Sequence, residues 1–130
     1  MMNNFKLSKR SEQNLIDVHP DLIKIVHYAL KISTVDFGII EGLRSISRQK
    51  ELFTSGASQT FNSRHLSGHA IDIVVYIDGK VSWEWQYYER LANTMKSAAK
   101  ELKIPIEWGG DWKSLKDGPH FQLPFKEYPV

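Results

Sequence analysis

A carboxylate set in the middle of an apolar strand restricts this chain more than any other feature. The run Ala70-Ile71-Asp72-Ile73-Val74-Val75-Tyr76-Ile77 reads as a strand dominated by Ile and Val, and Asp72 interrupts it. A bare carboxylate among such neighbours is too costly to keep, so the fold has to bring it a partner or a cation. Two other runs offer both. Ser63-Arg64-His65-Leu66-Ser67-Gly68-His69 leads into the strand, and Asp117-Gly118-Pro119-His120 begins another one much later in the chain. Neighbouring strands that carry His65 and His120 to Asp72 would assemble two imidazoles and one carboxylate. A second carboxylate, Asp117, stands three residues before the last of them.

That inventory suits hydrolytic zinc chemistry. Catalytic zinc is usually held by three protein nitrogen or oxygen ligands, which leaves a fourth position for water. The metal lowers the pKa of that water from about 15.7 to roughly 7, and a nearby carboxylate can take its proton. His65, Asp72 and His120 fit the ligand roles for one zinc ion, and Asp117 fits the base. The same donors would also accept cobalt, nickel or manganese. A competing arrangement pairs His65 with His69, four residues apart as on a zinc-protease helix. It requires Glu after the first histidine, where Leu66 stands, and Ser67-Gly68 would break the helix. Of the other histidines, His19 before Pro20 reads as a helix-start residue and His27 as structural or exposed. His69 either lines the cleft or is the one candidate for a fourth ligand in a closed structural site.

The 130 residues contain no cysteine, which removes disulfides, thiolate metal sites and cysteine nucleophiles and leaves any metal to His, Asp or Glu. A 42% hydrophobic content suits one domain, residues 1–130, with one core and no second domain. The net charge of +2 is spread among interspersed acids and bases, which argues against a nucleic-acid partner. The start, Met1-Met2-Asn3-Asn4-Phe5-Lys6, has no apolar run of the signal-peptide kind, and no stretch nears the 18 or so apolar residues of a membrane span. The expectation is a monomer made in the cytoplasm, without membrane insertion.

Spacing predicts a short capped helix over Ser8 to Ile16 and a stronger one starting at Pro20, with Leu22, Ile23, Val26, Ala29 and Leu30 on one face. Phe37 to Ile40 reads as a strand ending at Glu41-Gly42, so Arg44 sits where the strand gives out. A helix over Ser47 to Ser55 closes at Gly56. Ser55 to Ser67 reads as a long ordered loop, and Asp78-Gly79 as a hairpin turn. From Ser82 a long helix presents Tyr88, Leu91, Ala92, Met95, Ala99 and Leu102 as a stripe. Pro105 to Trp108 and Pro119 to Leu123 complete a small antiparallel sheet with packed helices, an α+β domain.

The pattern Ser-x-His-x-x-Gly-x-Ala-x-Asp followed by acid-x-x-His resembles the zinc D-alanyl-D-alanine peptidases, and more closely the L-alanyl-D-glutamate endopeptidases of phage endolysins. Val18-His19-Pro20-Asp21-Leu22, Glu41-Gly42-Leu43-Arg44-Ser45 and Glu107-Trp108-Gly109-Gly110-Asp111-Trp112 extend the resemblance over nearly the whole chain. It implies a fold shared with the zinc domain of Hedgehog proteins and cleavage within the peptidoglycan stem peptide. By position, His65, Asp72 and His120 match the zinc ligands, Asp117 the base, Arg44 the arginine that steadies the oxyanion, and Ser63 a residue near substrate. Asp rather than Glu at position 117 points to the endopeptidase branch. Trp108 and Trp112 either wall the substrate groove or belong to the core, with core expected for at least one and Trp108 taken as the substrate-binding ring. The role implied is host lysis, with holin-type release carrying the protein from the host cytoplasm to periplasmic peptidoglycan. The alternatives are a D-alanyl-D-alanine carboxypeptidase or dipeptidase of wall metabolism, and a zinc-stabilised binding module.

Overall fold

A computed structural model describes residues 3–58 and 63–129. In chain order the elements are α1 (Lys9–Asn14), α2 (Pro20–Ile32), β1 (Asp36–Glu41), α3 (Ile46–Thr54), a 3-10 turn (Arg64–Ser67), β2 (Ala70–Ile77), β3 (Lys80–Ser82), α4 (Trp85–Leu102), β4 (Glu107–Trp108), a second 3-10 turn (Gly109–Asp111) and β5 (His120–Gln122). Every strand pairing is antiparallel, in the order β1-β2-β5-β4. β3 pairs the C-terminal end of β2, and the Asp78-Gly79 turn joins them with φ of 52° and 76°. Two left-handed residues in succession match the right-handed twist of a tight hairpin.

Side chains alternate across a strand, so β2 has two different faces. Ile71, Ile73 and Val75 are fully buried and join Phe37, Ile39 and Phe121 from neighbouring strands in one core. Leu22, Ile25, Val26 and Ala29 of α2 belong to the same core, as do Leu91, Ala92, Met95 and Ala99 of α4. The apolar stripes on these helices are therefore what hold them to the sheet. Asp72 lies in the opposite set, turned away from the core.

β1 is an edge strand, and α1 covers its free backbone. Ser11 Oγ accepts from Ile39 N at 3.0 Å, and Asn14 Nδ2 donates to Ile39 O at 2.7 Å. Such coverage satisfies backbone groups that an open edge would leave available for pairing with another chain.

The long helix begins at Trp85, not at Ser82. Lys80–Ser82 is taken up in pairing with β2, and Ser82 O accepts the Tyr88 hydroxyl at 2.9 Å. Of the loop expected over Ser55 to Ser67, residues 59–62 lie outside the described residues, and Arg64–Ser67 forms the 3-10 turn. The tail after Phe125 folds back on that turn. Arg64 Nη2 donates to Leu123 O at 2.7 Å and Tyr128 O at 2.9 Å, with its guanidinium over the Phe125 ring. The Tyr128 hydroxyl donates to Asp21 Oδ2 at 2.6 Å, which pushes its pKa up to about 12.

Gly68 ends the 3-10 turn at φ 75°, and a Cβ there would lie 2.5 Å from the Asp17 carbonyl oxygen. Both the left-handed backbone and the contact exclude a side chain. Gly68→Ala is expected to lower unfolding free energy by about 2 kcal/mol or more, measured by urea denaturation. A variant as stable as the parent would show that the turn is not held as described.

Candidate metal centre

Strand register brings the acidic and imidazole groups together. Asp72 is paired with Glu41 of β1 on one side and with His120 of β5 on the other, which sets three functional residues in a row across the sheet. His65 arrives from the 3-10 turn before β2. Ser63 caps that turn, its Oγ accepting from His65 N at 3.2 Å, and the His65 carbonyl accepts from Arg44 N at 2.9 Å. His65, Asp72 and His120 each offer one ligand atom, and these atoms lie within 4.8 Å of one another. This cluster could hold a metal ion.

The hydrogen bonds around the cluster fit a cation. His65 Nδ1 lies 2.9 Å from Gly42 O, a group that can only accept, so Nδ1 carries the proton and Nε2 offers its lone pair. Nε2 is buried, without a hydrogen-bond partner, and 3.4 Å from Asp72 Oδ1. His120 Nε2 lies 2.7 Å from Gln122 Oε1, while Gln122 Nε2 donates to Glu107 Oε2 at 2.9 Å. The proton of neutral His120 therefore sits on Nε2, and Nδ1 faces Asp72 Oδ1 at 3.2 Å. Two lone pairs at that separation require a positive charge between them, either a second imidazole proton or a metal.

The electrostatics point the same way. Burial alone would raise the Asp72 carboxyl, but His120 and His65 together hold it well below the usual carboxylate range. Burial works against a charged His120, yet Asp72, Gln122 and Asp117 raise its pKa overall. Asp117 is shifted up, first by burial and then by the nearby Asp72 charge.

Asp117 owes its place to the Gly109-Gly110 turn. Its backbone N donates to Gly109 O at 3.0 Å and its carbonyl accepts from His120 N at 3.2 Å. A Cβ on Gly109 would collide with the Asp117 carbonyl, and one on Gly110 with the Trp108 ring. Arg44 is held on two sides: Nη1 donates to Gln49 Oε1 at 2.6 Å, and Nη2 pairs with Glu41 and lies 3.8 Å from Asp72 Oδ2. Burial lowers the Arg44 pKa, and the Asp72 and Asp117 charges offset part of that shift.

Arg44, Ser63, His65, Asp72, Asp117 and His120 open onto one cavity of about 860 Å³, which Trp112 and Lys116 also line. Trp108 does not belong to that wall, which corrects the expectation that it binds substrate. It is 6% exposed, packs against Phe121, and donates its indole N–H to Gly118 O at 2.7 Å. A large ring with its polar atom satisfied is core. Trp112 is the tryptophan at the cleft, its ring 5.1 Å from that of His120. His69 turns away from the cluster to pack beside His19 and Tyr128, with Nδ1 2.7 Å from Ser67 Oγ. His19 caps α2, and His27 is exposed.

Residues 2–123 match the phage L-alanyl-D-glutamate peptidase family. The chain belongs to that family. It is 34% identical over 118 residues to the L-alanyl-D-glutamate peptidase of Escherichia phage T5, covering 88% of this chain and 86% of that one. Over 124 residues it is 32% identical to the Bacillus subtilis peptidoglycan L-alanyl-D-glutamate endopeptidase CwlK, covering 82% of this chain and 74% of the relative. The crystal structure of the Serratia marcescens L-Ala D-Glu endopeptidase ChiX superposes with a TM-score of 0.92 at 52% identity, covering 98% of this chain and 96% of that one.

Sequence reasoning missed Gln49, Glu41, Gln122 and Glu107. Gln49 is the one buried residue of α3, a helix without an apolar stripe, so periodicity gave no signal. Gln122 was open to inference, because residues two apart on a strand share a face and His120 is one of them. Removing an outer partner of a metal-binding histidine typically costs 10- to 100-fold in affinity. Gln122→Leu is expected to weaken binding of a divalent cation, with zinc as the probe ion, by about 10-fold or more, and Asp72→Ala to abolish it, both read by competition with a chromogenic chelator. Parental affinity in Asp72→Ala would remove this cluster as the metal centre.

Proposed function

We propose that this protein is a zinc peptidase that hydrolyses the L-alanyl-D-glutamate bond of peptidoglycan stem peptides. The observation that carries the reading is the convergence of His65 Nε2, His120 Nδ1 and an Asp72 oxygen, with Asp117 and Arg44 on the same cavity. Family membership and the activities of the phage T5, CwlK and ChiX relatives support the choice of bond.

His65, Asp72 and His120 would hold the ion, which when bound supplies Lewis acidity and lowers the pKa of water from about 15.7 to roughly 7. The protein's own groups do the rest. Asp117 takes the proton of the attacking water and later delivers it to the leaving amine of D-glutamate. Its upward shift suits that exchange, because a carboxylate of slightly higher pKa is the stronger base. Arg44, aimed by Gln49 and Glu41, stabilises the oxyanion that develops on the alanine carbonyl. Ser63 holds the turn that presents His65 and also faces the cleft, where it can hydrogen-bond the stem.

The chain acts on peptidoglycan through the catalytic domain that these residues form. With relatives in Escherichia phage T5 and Listeria phage A118, host lysis is the role we assign. The match to the A118 protein spans 31% of that relative's length at 41% identity. Holin-type release would bring the protein from the host cytoplasm to the periplasm. Among the described residues, no helix is long and apolar enough to cross a membrane.

The test is mass spectrometry of Gram-negative peptidoglycan digested by zinc-loaded protein, with labelling of new amino groups. New amino termini on D-glutamate, with L-alanine left on the glycan, are expected. Release of D-alanine alone would move the assignment to a carboxypeptidase. Asp117→Ala should keep its zinc and lose turnover by about 100-fold or more, whereas normal turnover would remove Asp117 as the base.

A further inference from the structure

Three cationic side chains line the cleft, and two of them are already engaged. Arg44 is held by Glu41 and Gln49, and Arg48 pairs with Glu51 at 3.1 Å. Lys116 faces the cavity and makes no ion pair among the described residues. Its position is set by its backbone. Trp112 N and Asp117 N both donate to Gly109 O, at 3.3 and 3.0 Å, so the loop over 112–117 is closed on a single carbonyl. Within that loop Leu115 adopts a φ of 53° while 68% exposed. A left-handed leucine is strained and persists where the surrounding structure dictates it, commonly at functional sites. The turn sets Ser114, Leu115 and Lys116 on the cleft wall and leaves Lys113 off it.

We propose that Lys116 determines specificity by binding the free α-carboxylate of the D-glutamate residue on the leaving-group side of the scissile bond. The inference rests on the activity proposed above and names a contact within it. In the stem peptide D-glutamate continues through its side-chain carboxyl, so its α-carboxyl hangs free on the carbon bonded to the scissile nitrogen. Asp117 delivers a proton to that nitrogen and so lies beside it, and Lys116 is the next residue along the anchored loop. A lysine ammonium on its four-carbon stem can reach a carboxylate placed there. The charge of the cleft favours the same ligand. With Arg48 paired to Glu51, Glu41, Asp72 and Asp117 face Arg44 and Lys116, so a bound dication leaves the cleft cationic toward an anionic stem.

Stems carrying the free α-carboxylate and stems carrying the α-amide separate the possibilities. The zinc-loaded parent should prefer the carboxylate stem by about tenfold in kcat/KM. Lys116→Met should lose about tenfold on that stem, stay unchanged on the amide and so abolish the preference, and Lys116→Arg should restore most of it. Lys113→Met, an exposed lysine of the same loop, should alter neither. Full retention of the preference in Lys116→Met, or equal loss on both stems, would overturn the assignment. Calorimetric binding of uncleaved stems to Asp117→Ala protein gives a readout without turnover, in which adding Lys116→Met should weaken the carboxylate stem about tenfold. If the parent cleaves neither stem while this discrimination persists, the reaction assignment fails and the subsite stands. Cleavage by the parent with no discrimination at Lys116 gives the reverse.

Discussion

The Asp72 carboxylate is the constraint around which the rest of the site is arranged. It occupies a strand whose other face is fully buried, so β2 cannot slip by one residue without driving the charge into the core and Ile71, Ile73 and Val75 toward solvent. The register that the core demands also sets His120 opposite Asp72, and a shift in register between Ile39 and Glu41 brings Glu41, in place of Ile40, to its other side. Core packing along β2 thus fixes one flank of the site, and an irregularity at the end of β1 fixes the other. The apolar stripes on α2 and α4 serve the site at a distance, because they decide which face of the sheet is buried.

Arg44 shows how the surrounding charges are kept in balance. A guanidinium with little exposure needs partners, and it finds Glu41 on the neighbouring strand end, Gln49 from α3 and, at longer range, Asp72. A buried pair of this kind gives little net stability by itself, since desolvation consumes most of the attraction. Its value lies in orientation: a planar donor fork fixed at both ends cannot swing onto Asp72 and compete with a cation there. α3 supplies that restraint through Gln49, its one buried side chain, which explains why a helix with no apolar stripe is retained beside the cleft.

Much of this was legible from the residues alone, for physical reasons that differ by element. β2 and the Asp78-Gly79 turn could be read because Ile and Val alternate around a misplaced carboxylate and because the turn residues tolerate positive φ. The start of α4 was misplaced because Lys80 to Ser82 pair with β2, a tertiary event with no local signature. His65, Asp72 and His120 stood out as a set through chemistry and family resemblance. Trp108 did not sort correctly, since an aromatic ring beside glycines reads equally as wall or core until Gly110 and Gly118 are seen closing on it. Gln49 is a polar residue in polar surroundings, and only its burial in the folded neighbourhood distinguishes it from surface.

The two imidazoles present different nitrogens to Asp72, and the reason lies in where each residue starts. His120 is directly across the strand pair from Asp72, so the near nitrogen, Nδ1, is already at 3.2 Å and the far one points along the strand toward Gln122. His65 comes from a turn outside the sheet and has to span the gap, so its far nitrogen reaches in while Nδ1 remains by the backbone at Gly42. In each case a neutral acceptor on the outer nitrogen fixes the tautomer, which leaves the inner lone pair free. The acidic member of the outer network, Glu107, stands one residue further back, behind Gln122, where it orients the amide without facing a histidine.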